Sequence, residues 1–233
     1  THESVSALVV PRLEAPRVTP FDDVFRIVPW GETENPVSIV AKLLGGAKTI
    51  AVGDQMWARF LVELMSFVTN AKFVRAVDVV GPMRMAKDAD EIKALQAAGA
   101  AADRVAMQLQ AGEIDLVGRT EAQVSADISA RLIDQGHDVV NFAIVAAGEN
   151  AASPHHHAGP RVIQKNEIVL CDFGGTMNGY CSDITRCVFV GTPSRKITSA
   201  YSVLHAAQAA GVKAGVVGAT CESVDAAARK IID

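Results

Sequence analysis

The sequence predicts an α/β protein of the α+β kind, organised in two parts. Three observations lead there. Up to Val80, short strand-like runs alternate with helical ones, and Gly81-Pro82 then breaks the pattern. From Asp88 onward the order becomes helix, helix, three strands, helix, helix. No second trio of strands follows to complete a duplicated architecture, so the polypeptide is expected to be cut short at Asp233.

The elements follow from periodicity. Ala7–Val10, Val24–Val28, Thr49–Val52 and Phe73–Val80 are β-branched or aromatic runs and predict strands. Val37–Leu44 and Met56–Val68 carry helical apolar spacing. Asp88–Gln110 predicts a long helix, because Ile92, Leu95, Ala98, Ala102, Val105 and Leu109 recur every three or four residues; Gly112 stops it. Thr120-Glu-Ala-Gln123 matches a capping box and opens a helix with Val124, Ile128 and Leu132 on one face, ending at Gly136. Val139–Ala147, Glu167–Phe173 and Cys181–Val190 predict three strands. Thr198–Val217 is a helix with Tyr201, Leu204 and Ala207 on one side, and Ser223–Ile232 another, with Thr220 as cap.

Composition bounds the function. With 49% hydrophobic and 21% charged residues, the chain has the make-up of a globular protein with a sizeable core. A net charge of −4 and the lack of a basic stripe argue against a nucleic-acid partner. No run reaches the roughly 18 apolar residues of a membrane span. The four cysteines form no CxxC pair and are expected to be reduced, which with the lack of a signal-peptide pattern gives a cytoplasmic expectation, although the chain starts at Thr1 rather than Met. Phosphate loops, a GxSxG elbow and an HExxH helix are all missing, which removes the commonest competing enzyme classes.

The chemistry concentrates in Ile168–Val190. Two apolar strands flank Asn178-Gly179, a strong hairpin signal, and each carries one aspartate. Folding at that turn brings Asp172 and Asp183 nearly opposite each other, give or take one pair. Two adjacent carboxylates in apolar surroundings repel and need compensation: a divalent cation supplies it, and so does an arginine such as Arg186. Gly174-Gly175 signals close backbone approach beside Asp172. Upstream, Pro154-His155-His156-His157 offers imidazoles for metal binding, carbonyl donation or proton transfer, or is an exposed loop with incidental histidines.

Asp172-Phe-Gly-Gly, then Gly179-Tyr180-x-Ser182-Asp183-Ile-Thr185-Arg186, resembles the signature of the pita-bread metallopeptidases, and most of all the Xaa-Pro dipeptidases (prolidases) and Xaa-Pro aminopeptidases. His155 stands seventeen residues before Asp172, at that family's substrate-side histidine. Met85-Ala-Lys87-x-x-x-Glu91-Ile92 resembles the opening helix of the catalytic domain. The resemblance implies a creatinase-like N-terminal domain over residues 1–84, with its start missing. It implies a pita-bread domain over residues 85–233, with its C-terminal half missing. It further implies hydrolysis of the bond preceding proline in dipeptides or short peptides by a metal-bound hydroxide, in a homodimer. Two divalent metal ions are implied, Mn²⁺ first, with Co²⁺, Zn²⁺ or Fe²⁺ also suited. By position, Asp172 ligates one metal, Asp183 bridges both, and His155 meets the substrate, with His156 or His157 as substitutes. The family's remaining ligands, a histidine and two glutamates, have no counterpart before Asp233, so the chain as it stands is expected to be inactive. The rival readings are a metal-free pita-bread binding module, a creatinase-like non-peptidase, or an unrelated α/β domain with structural aspartates.

Overall fold

A computed structural model describes residues 6–233. The chain divides into two compact units between Lys87 and Asp88.

The first unit is built from two parallel strand pairs and three helices. Strands β1 (Ser6–Pro11) and β2 (Phe25–Trp30) pair in parallel, as do β3 (Thr49–Val52) and β4 (Lys72–Arg75). Helix α2 (Ala58–Phe67) is the crossover that joins β3 to β4, the β1–β2 connection holds a 3-10 turn at Ala15–Arg17, and α1 (Pro36–Leu43) links β2 to β3. Asn35 caps α1 by accepting from the Val37 and Ser38 amides. Val37, Ile50 and Leu64 are its buried residues, and an open apolar cavity of about 530 Å³ lies among Val9, Trp30, Val40 and Phe60.

One predicted strand is corrected. Phe73–Val80 is a strand only to Arg75; Val77–Met85 is helix α3, with Gly81 and Pro82 inside it rather than breaking it. The ladder explains this. β3 ends at Val52, whose carbonyl takes a last bond from the Ala76 amide at 2.7 Å. Beyond it the chain has no strand partner, so its amides turn inward: Val79 and Val80 both donate to Ala76.

In the second unit two helices pack on a four-stranded antiparallel sheet. Helix α4 (Ala89–Gln110) opens on a capping box, with Asp88 accepting from Glu91 N and the Glu91 side chain accepting from Asp88 N. Its buried stripe is Ala98, Ala101, Ala102, Val105, Ala106 and Leu109, small enough to bring the helix close to the sheet. Ile92 is exposed, because the buried stretch begins only at Ala98. Helix α5 (Glu121–Asp134) buries Val124, Ile128 and Leu132 completely and is capped by Thr120 as predicted.

Strand β5 (Val139–Ala147) pairs with β6 (Ile168–Met177), and β6 pairs on its other edge with β7 (Tyr180–Cys181) and then β8 (Ile184–Phe189). Asn178 and Gly179 take φ of 50° and 82°, the left-handed pair a two-residue hairpin needs. The predicted Cys181–Val190 strand is interrupted at Ser182-Asp183, where Ser182 N still donates to the Gly175 carbonyl at 2.9 Å. Val169, Cys171 and Phe173 point into the core with α4 and α5; burial pushes the Cys171 thiol up to about 12. All four cysteines are free.

Helices α6 (Arg195–Ala214) and α7 (Cys221–Ile232) pack on each other, with Ser194 and Thr220 as caps. On α6 only Ala207 is buried. Tyr201 and Leu204, predicted on the same side, are exposed and line a cavity of about 530 Å³ with Thr185, Cys187 and His205.

Candidate metal centre and the histidine loop

The register of the hairpin decides where the aspartates point. Asp172 is paired with Thr185, and Thr185 Oγ1 donates to Asp172 Oδ1 at 2.9 Å. Directly opposed residues of an antiparallel pair share a face, and the Thr176–Cys181 and Phe173–Ile184 pairs keep one register across the Ser182-Asp183 break, so Asp183, two residues before Thr185, has the parity of that face. The expected opposition of Asp172 and Asp183 is thus corrected to a diagonal. The shared face is the one turned away from Cys171 and Phe173. Asp172 is half-buried and Asp183 exposed, so neither bears the full cost of burial that the apolar flanking residues suggested.

Arg186 does not compensate them. It is paired with Cys171, on the opposite parity, and its guanidinium donates to the Thr185 carbonyl at 2.9 Å. Neither aspartate forms an ion pair among the described residues. What remains is a pair of carboxylates on one face, a donor set that suits a hard divalent cation in kind. It is a partial set, for no group of three or more His, Cys, Asp or Glu among the described residues is arranged to hold a metal.

The spacing between β6 and the Ser182-Asp183 break rests on two glycines. A Cβ on Gly174 would collide with the Ser182 carbonyl, and one on Gly175 would lie 2.5 Å from the Val139 carbonyl and 2.8 Å from the His137 ring. A buried hydrogen-bond chain holds this crossing together. His137 Nδ1 donates to the Leu132 carbonyl at 3.1 Å, so Nε2 accepts from Ser182 Oγ at 2.8 Å, while Ser182 Oγ accepts from Gly175 N at 3.2 Å. His137 was not singled out by sequence; only its place just after the helix-ending Gly136 hinted at an inward turn.

His155 and His157 are exposed, in the irregular segment after a 3-10 turn at Gly148–Ala152. His156 differs: its Nε2 donates to Glu121 Oε2 at 2.8 Å. Glu121 is fully buried and was read from sequence only as part of a cap. It also accepts from Ala147 N, Asn150 Nδ2 and Gly159 N, at 2.8, 2.9 and 3.3 Å. Burial pushes its carboxyl up, but these hydrogen bonds outweigh burial and hold it below the usual carboxylate range. Nearby, Arg161 bridges Glu149 and Glu167 at 3.0 and 2.8 Å, and Gly148 leaves room for its guanidinium.

Residues 92–233 match the model of metallopeptidase family M24, and the chain belongs to that family. Dipeptidases and an X-Pro aminopeptidase are among the proteins it resembles. The chain is 38% identical, over 247 aligned positions, to the probable dipeptidase PepE of Mycobacterium tuberculosis, covering 100% of this chain and 65% of the relative. It is 40% identical over 166 positions to an Xaa-Pro dipeptidase of Lactobacillus helveticus, covering 70% of this chain and 45% of that one. Among solved structures, dipeptidase PepE from Mycobacterium ulcerans superposes with a TM-score of 0.87 at 39% identity, over 99% of this chain and 62% of that one. A prolidase from Thermococcus sibiricus gives 0.88 at 32%, over 99% and 63%. The chain therefore spans less than two thirds of the length of these relatives.

Proposed function

We propose that this chain is the larger part of a metal-dependent peptidase that cleaves the bond preceding proline in dipeptides or short peptides. The observation that carries the reading is the pair Asp172 and Asp183, of one parity on a hairpin and in no ion pair among the described residues, in a member of family M24. Relatives named Xaa-Pro dipeptidase and prolidase support the choice of substrate.

In this reading Asp172 and Asp183 would both serve as ligands of divalent metal ions, with Mn²⁺ as first choice. Bound there, divalent ions would polarise the scissile carbonyl and lower the pKa of an attacking water. Thr185 orients the Asp172 carboxylate through its hydroxyl. His155, which is exposed, contacts the substrate or its tetrahedral intermediate. Residues 1–84 form the creatinase-like domain and residues 85–233 the catalytic one, working in the cytoplasm as a homodimer.

The test uses the enzyme at the length of its relatives. Purified and supplied with Mn²⁺, it is expected to release proline from Ala-Pro or Gly-Pro, with bound metal lost in Asp183→Asn. A protein that binds no metal and releases no proline would instead be a metal-free module of the same fold.

A further inference from the structure

Among the described residues the buried polar side chains are Glu121, His137 and Ser182. His137 and Ser182 brace the aspartate hairpin. Glu121 hydrogen-bonds to neither strand of that hairpin, yet it is the most completely engaged. Four donors converge on its two oxygens: Ala147 N and Asn150 Nδ2 on Oε1, His156 Nε2 and Gly159 N on Oε2. All four belong to one segment, 147–159, which is the segment carrying His155.

The anchoring runs in both directions. Glu121 is the first residue of α5, whose opening amides lack partners within the helix. Those amides go to the same loop: Glu121 N donates to the Arg161 carbonyl at 2.9 Å, and Ala122 N to the Gly159 carbonyl at 3.0 Å. The helix N-terminus also favours the negative charge on Glu121. The loop is therefore wrapped around the start of α5, with one carboxylate at its centre.

Stability alone does not account for such an arrangement. Replacing a buried charged group and its partners by apolar residues of like volume is commonly neutral or stabilising. What a carboxylate with four donors provides is a single geometry for the groups that donate. Holding His156 inward fixes the backbone on either side of it, and His155 is then turned outward.

We propose that Glu121 is a positioning residue, which sets the direction of His155 by pinning the 147–159 loop through His156, Asn150 and two backbone amides. The inference rests on the peptidase reading for the role of His155, and on geometry alone for the pinning.

The experiment uses the metal-loaded enzyme at the length of its relatives. Glu121→Gln keeps the shape but turns an amide NH₂ toward donors. It is expected to lower kcat on Ala-Pro on the order of 10- to 100-fold, with KM and bound Mn²⁺ per chain nearly unchanged. Amide hydrogen exchange across residues 147–159 is expected to quicken, while exchange in α4 stays as in the wild type. Should Glu121→Gln fail to fold, His156→Gln and His156→Leu give the same reading: the first retains a donor to Glu121 and is expected to recover most of the turnover that the second loses. Unchanged kcat per folded, metal-loaded enzyme would overturn the positioning role, as would His156→Leu matching His156→Gln. If the wild-type enzyme releases no proline, the peptidase reading fails, and exchange decides the pinning on its own: unchanged protection of 147–159 in Glu121→Gln overturns it, and faster exchange supports it.

Discussion

A methyl group placed on Gly174 would enter the space of the Ser182 carbonyl oxygen, and the strand could move away only by breaking the Asp172–Thr185 pairing. Gly174→Ala is therefore expected to destabilise the second unit by roughly 3 kcal/mol or more, measured by urea unfolding, through overpacking against backbone that cannot yield. Ser182→Ala is milder. It strips His137 Nε2 of its donor and Gly175 N of its acceptor inside the core, which costs about 1–3 kcal/mol. His155 is a contrast, since nothing in the core depends on it. In the enzyme at its relatives' length, His155→Ala is expected to lower turnover while leaving metal content and unfolding midpoint nearly unchanged. Loss of metal in that variant would show His155 to be a ligand instead.

At the level of elements, the N-terminus of α5 does more than start a helix. Thr120→Ala removes the side-chain acceptor for Gln123 N and is expected to cost about 1 kcal/mol by urea unfolding. The same turn carries Glu121, and further along Asp127, where burial pushes the carboxyl up but Arg119 and Arg131 hold it below its ordinary range. Both carboxyls bind their protons less tightly folded than unfolded. Their stabilisation is thus fully present above the ordinary carboxylate value of 4.5 for Glu121, and is lost as pH falls through the lower folded value. Thermal unfolding followed from pH 7 downward is expected to show a falling midpoint in acid, and a shallower fall in Glu121→Gln. A midpoint that rises on acidification would contradict the assignment.

For the whole molecule, what matters is how much of a metal site one chain supplies. Asp172 and Asp183 present oxygen donors from one side, on a face where Asp183 is exposed to water. No third His, Cys, Asp or Glu joins them in a metal-holding group among the described residues. The 233-residue chain alone is therefore expected to bind Mn²⁺ weakly and to release no detectable proline from Ala-Pro or Gly-Pro. Titration with Mn²⁺ and a proline assay check both, and robust turnover would mean that a complete site exists within this chain.

The local grammar of the chain was legible in its residues. The caps at Thr120 and Thr220, the turn at Asn178-Gly179 and the buried stripe of α5 each depend on neighbours within a few positions, and each is found where the spacing put it. That Asp172 and Asp183 share a face was legible for the same reason, since strand alternation and a two-residue turn give them the same parity. Other features depend on residues far apart in the chain. Val77–Met85 became a helix because β3 ran out at Val52, which no property of Val77–Val80 announces. Arg186 was removed as a counter-charge by the one-position register that pairs it with Cys171. Glu121 looked like the first residue of a helix until folding brought residues 147–159 around it, twenty-six or more positions away in sequence. Periodicity and turn chemistry determine which way a side chain faces along its own element. Which partners meet it there is decided only when distant elements close on one another, because hydrogen bonds to a buried group come from whatever the core brings within reach.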